Sequence, residues 1–162
     1  MKLAILAFLI AFPSSVVPHI LSAQSATSQA RVNPHDLSAQ IKSFANFSKD
    51  FRAMQEPVRG IDFDTLHDLD NMATNEEDRL FAANGALQLF DSITCQQDRV
   101  SARRILKDQL LDYYSWVFDH DITTISGLLT FVKIPAAAQL GLRMKDEMRA
   151  AKEKIDAIAA SL

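Results

Sequence analysis

The residues richest in chemistry lie between Asp62 and Asp78, a stretch with seven carboxylates and no lysine or arginine. Taken as a calcium loop starting at Asp62, it has Asp64, Asp68 and Asp70 at ligand positions. However, Leu66, His67 and Ala73 stand where an oxygen ligand, the turn glycine and the bidentate glutamate belong. Taken as a helix, it brings Asp64, His67 and Asp68 to one side at spacings of three and four, a set that suits a divalent metal. That spacing is common without any ligand, so the run reads first as a solvated acidic face.

Two further histidines offer less. His120 lies between Asp119 and Asp121, and neighbouring helical residues diverge by about 100°, so these three do not converge on one ion. His35 has no partner visible in the sequence. The paired Glu-x-x-His motifs of di-iron bundles are missing, as are a glycine-rich phosphate loop and a nucleophile elbow. The sequence therefore points to no cofactor and, without any motif that carries a mechanism, leans away from an enzyme. Tyr113, Tyr114 and Trp116 have the chemistry to stack on a ligand, but aromatic residues in a central helix read first as packing. Cys95 is the only cysteine. It excludes an internal disulfide and paired-thiol metal sites. It reads as a small, half-buried residue at a helix junction.

Arg99, Arg103 and Lys107, with Arg104 beside them, form a basic patch spaced by four. It either pairs with the acidic segment or docks an anionic partner, and internal pairing is the simpler expectation. A net charge of -3 and a pI near 5.8 leave no phosphate-binding footprint, so the reading includes no nucleic acid.

The elements that position these residues follow from apolar spacing. The stretch Asp98 to Lys133 has no proline and one glycine, and Leu110, Leu111, Tyr113, Tyr114, Trp116, Val117 and Phe118 point to nearly every side of a helix. A helix apolar all round must be covered from several directions, which predicts a long central rod, with a weak point near Asp119 to Gly127. Ahead of it, Asp36 is placed to cap a helix over Leu37 to Gln55, ended by Pro57 and Gly60. A short acidic helix follows over Ile61 to Ala73. Thr74 with Glu77, and Thr94 with Gln97, have the spacing of capping boxes that start new helices. The Thr74 helix carries Leu80, Ala83, Leu87 and Phe90, widened by Phe81, Leu89 and Ile93. After Pro135, residues 137, 141, 144, 148, 151, 155, 158 and 162 alternate spacings of four and three, the seam of a coiled-coil-like helix packed antiparallel on its neighbour.

The fold class is thus all-α: a helical bundle with a long central helix and an antiparallel C-terminal helical hairpin. Lys2 and the apolar run Leu3 to Phe12 read as an export signal, giving 1–23 as signal peptide, 24–35 as a flexible segment and 36–162 as the bundle. The expected location is periplasmic or extracellular.

One stretch of low charge stands out. From Ile122 to Leu142 only Lys133 is charged, and Leu128, Leu129, Phe131 and Ile134 crowd the hairpin tip as an interaction-surface candidate. The expected function is noncatalytic protein–protein contact, by a protein partner or self-association, with membrane-surface contact second. A small-ligand or divalent-metal-binding bundle is the alternative.

Overall fold

The computed structural model describes residues 33–162, so the signal peptide assigned to 1–23 and most of the 24–35 segment lie outside the described residues. The described part is an all-α bundle. Its helices are α1 (Ser38–Gln55), α2 (Ile61–Ser92), α3 (Gln96–Arg104), α4 (Asp112–Leu128) and α5 (Pro135–Ser161). Between α3 and α4 the chain continues as a π-helix over Ile105–Leu111, so residues 96–128 form one uninterrupted rod. No helix among the described residues is long and apolar enough to cross a membrane.

α1 buries Phe44, Ser48, Phe51 and Gln55 along one stripe and packs most extensively on α2. Its first turn is capped differently from expectation. Leu37 occupies the cap position, and Asp36, one residue earlier, accepts the Ser38 N–H at 2.9 Å. Leu37 is fully buried, and its N–H is met by Asn84 Oδ1 at 2.9 Å. The turn into α2 needs a left-handed residue, and Gly60 supplies it with φ of 69° at no steric cost.

α2 is one helix, not two. The capping box at Thr74 is unused, and Thr74 Oγ1 instead donates to the Asp70 carbonyl one turn back at 3.0 Å. The reason is the buried stripe, which runs through that point: Leu69, Met72, Ala73, Glu76, Leu80, Ala83, Leu87 and Phe90 are all covered. Continuous packing outweighs a local capping preference. The Thr94–Gln97 box also goes unused, because the rod starts at Gln96 with extended Cys95 ahead of it. Cys95 is exposed rather than half-buried.

The rod is continuous through residues 119–127, where Thr123 and Ser126 back-bond to Asp119 and Ile122. Its irregularity falls earlier. The Asp112 N–H donates to the Lys107 carbonyl five residues back, so the π stretch holds one surplus residue relative to an α-helix. The rod's helix ends at Leu128, short of Lys133. α4 and α5 form the antiparallel hairpin: Leu129 packs against Gly141 near the turn, and Asp119 meets Lys152 farther along at 3.6 Å. On α5 the seam buries Ala137, Leu140, Gly141, Met144, Met148, Ala151, Ile155, Ile158 and Ala159.

The rod is not covered on every side. Leu111, Val117 and Phe118 are buried, whereas Tyr113 and Trp116 are exposed. The apolar residues do surround the helix, but Tyr113 and Trp116 lie on the outer face of regular α4, where aromatic side chains with a polar tip tolerate water.

Candidate functional site

An apolar concave surface lies where the end of α2 faces the π-helical part of the rod. A cavity of about 480 Å³ opens between Leu89, Phe90 and Ile93 on one wall and Ala102, Leu106 and Leu110 on the other. Gln109 is its only polar lining residue, and Ala86 and Ile105 complete it. Phe90 and Leu106 form a buried floor, while Leu89 at 71% exposure and Ile105 at 54% stand up at the edges. A π-helix turns more widely than an α-helix and is a rare feature concentrated at functional sites. Here it supplies four of the lining residues, because Ile105, Leu106, Gln109 and Leu110 all belong to it.

Of the basic patch, Arg99 borders this groove. The Arg99 guanidinium carbon sits 4.7 Å above the Phe90 ring centroid, and Nη1 donates to the Ile93 carbonyl at 3.4 Å. Arg103, Arg104 and Lys107 are exposed. The expected pairing with the acidic segment does not occur: among the described residues no ion pair involves Arg99, Arg103, Arg104 or Lys107. Other arginines meet the buried members of that segment.

Those buried carboxylates overturn the reading of a purely solvated acidic face. Asp70 is 5% exposed, accepts from Ser48 Oγ at 2.6 Å and pairs with Arg52 at 3.2 Å. Glu76 is fully buried. Arg79 Nη1 bridges Glu76 Oε1 at 2.5 Å and Asp121 Oδ2 at 2.6 Å, joining α2 to α4. One guanidinium cannot balance two carboxylates, so the more buried one keeps its proton. Burial pushes the Glu76 carboxyl up to about 9, with the neighbouring Asp121 carboxylate adding to the rise and Arg79 opposing it. Such a cluster fastens two helices together.

The other sequence candidates fall elsewhere. Asp64, His67 and Asp68 all face solvent, and His67 stacks on Phe63 with centroids 6.1 Å apart. No group of three potential metal ligands converges among the described residues. At the hairpin tip Leu128, Leu129 and Ile134 are half-buried against the core, leaving Phe131 at 58% exposure. His35 has a partner after all, Asp91, at 3.0 Å. Tyr113, Trp116 and His120 stack in succession along the outer face of the rod.

Sequence reasoning did not single out the groove. Its trace was the excess width of the α2 stripe, since Phe81 and Leu89 add more apolar surface than the core covers. No family model, curated protein or solved structure matches the chain.

Proposed function

We propose that this chain is an exported, noncatalytic helical protein, periplasmic or extracellular, that acts by holding a protein partner in the groove between α2 and the π-helical segment. The observation that carries the reading is apolar surface left open at that seam, with Leu89 and Ile105 standing clear of the core on its two edges. Exposed apolar residues around a concave floor mark contact sites on folded proteins. Residues 1–23 supply the export signal in this reading. The buried carboxylates serve architecture, because each is tied to an arginine in an arrangement that holds helices together.

The size of the groove, about 480 Å³, also supports a second reading, a small apolar ligand, since ligand cavities begin at roughly 300 Å³. Photoreactive residues placed singly at Leu89, Phe131 and Glu153 separate the two. Illumination of cells producing each variant is expected to give one discrete protein adduct from the Leu89 position and none from Glu153. An adduct from Phe131 alone moves the contact to the hairpin tip. Adducts from neither, with a small apolar molecule extracted from the purified chain, transfer the function to the second reading.

A further inference from the structure

The seam between α2 and α4 is narrow beside those that pair α1 with α2 and α4 with α5. The ionic tie across it is Arg79, which meets Glu76 on its own helix and Asp121 on α4. Glu76 is fully buried, and its Oε2 has no hydrogen-bond partner. With Glu76 neutral the three side chains carry no net charge. With Glu76 ionised, one guanidinium faces two carboxylates and a negative charge is left uncompensated in the core. We infer that this cluster is a proton-operated latch: protonated Glu76 keeps α4 on α2, and its ionisation opens that seam while the α1–α2 and α4–α5 pairs stay assembled. The latch is independent of what the groove binds.

The neighbouring elements leave the extra charge unmet. On α1, Arg52 is committed to Asp70. On α5, Lys152 is held by Asp156 at 2.7 Å and by Asp119 at 3.6 Å. From the rod, Tyr113 and Tyr114 act on Arg79, and burial raises the Tyr114 phenol above its ordinary range, so it stays neutral as Glu76 titrates. Arg79 itself is charged throughout. Asp121 is thus the acid on another helix that acts on Glu76, and it disfavours ionisation. Opening hydrates Glu76 and returns it to ordinary glutamate behaviour. The closed seam holds the proton up to about 9 against 4.5 for that ordinary state. Closure is therefore fully favoured below about 4.5, and the ratio of open to closed rises about tenfold per pH unit towards 9. Lys154 Nζ, which donates to Gln40 Oε1 at 3.0 Å, ties α5 to α1 away from the latch and supplies the pivot.

The test places spin labels on the full chain at Phe81→Cys and Thr124→Cys, exposed positions on α2 and α4, with the exposed Cys95 changed to serine. A second labelled pair, Thr124→Cys with Ala150→Cys, reports on α4 against α5. Between about pH 6 and pH 9 the first pair is expected to gain a longer-distance population growing about tenfold per pH unit, while the second pair keeps one distance. Glu76→Gln, neutral at every pH, should hold the first pair at its short distance throughout. Asp121→Asn leaves Arg79 with one carboxylate to balance, so it should suppress the alkaline opening as well. A single short distance in the parent chain at every pH overturns the latch, as does an opening that survives Glu76→Gln. Loss of helical circular dichroism at the same pH as label separation also overturns it, since the event would then be global unfolding. An Asp121→Asn chain that opens like the parent removes Asp121 from the device and overturns the charge argument behind it.

Discussion

From Asp112 to Leu128 the rod presents Tyr114, Phe118, Ile122 and Ile125 to its neighbours at spacings of three and four, and α5 covers it with a matching seam. From Gln96 to Leu111 the same rod buries only Leu106 and Leu111, five residues apart, and leaves Val100 and Ile105 in solvent. Its charges differ in the same way. Asp119 and Asp121 in the second half meet Lys152 and Arg79, whereas the cations of the first half have no acidic partner among the described residues. One helix thus serves two purposes, with stability concentrated in the regular half and contact surface in the irregular one.

The largest expected effect breaks the closed half. Phe118 is fully buried and lies 6.4 Å from Phe44, ring centre to ring centre. Phe118→Ala is expected to cost about 3–5 kcal/mol through lost burial and the cavity left behind. Ile105→Ala in the open half is expected to stay within about 0.5 kcal/mol, as for other exposed positions. Urea unfolding of the two variants measures the contrast, and equal losses would remove the distinction between the halves.

The next effect tests the clamp between α2 and α4. In the folded chain Glu76 holds its proton up to about 9, against 4.5 for an ordinary glutamate. Between those values the folded state carries the extra proton, so stability is fully present below about 4.5 and falls as pH rises towards 9. The loss is expected to approach about 1.4 kcal/mol per pH unit within that window. Glu76→Gln, which is neutral at every pH, should flatten the slope in thermal unfolding. An unchanged slope would show that Glu76 is ionised in the folded chain.

A smaller effect probes the hairpin turn. A side chain added at Gly141 runs into the tip of Leu129. Gly141→Leu is expected to cost about 1–3 kcal/mol by forcing the two helices apart. Calorimetry of the variant checks it, and a neutral result would mean that Leu129 finds another seat.

The same division decides what could be read from the sequence. The α5 seam was legible position by position, because Ala137, Gly141, Met144, Met148, Ala151, Ile155 and Ile158 follow a regular helix and are all buried. The rod was legible as a rod. Its exposed side was not, since Tyr113 and Trp116 count as apolar yet carry polar tips that tolerate water, and the surplus residue between Leu106 and Leu111 leaves no mark in the spacing. The join within α2 was misread because Thr74 and Glu77 form a sound local cap, and only packing across the join overrides it. Glu76 looked like one more surface acid, as its partner Asp121 lies on another helix. The groove was not legible either, because it forms where the end of α2 meets the π-helical stretch of the rod, a pairing of segments that no local spacing announces.

The surplus residue itself gives the last and smallest prediction. If Ile105–Leu111 is an α-helix with one residue inserted, removing an exposed member should restore ordinary spacing and keep both seams in register. Asp108 is exposed and lines no part of the groove. Its deletion brings Leu106 and Leu111 to a separation of four, the spacing the seam requires. Stability should change by no more than about 1 kcal/mol, since the core contacts on either side survive. The groove should narrow as the wide turn closes, so the protein adduct formed from the Leu89 position should weaken although the fold is intact. Deleting Ser115 is the contrasting control: it turns every residue before it by about 100° relative to α5 and should unfold the hairpin. Were the Asp108 deletion as damaging as the Ser115 deletion, the π-helical segment would belong to the closed half, and the groove would be a by-product of packing with no binding role to explain.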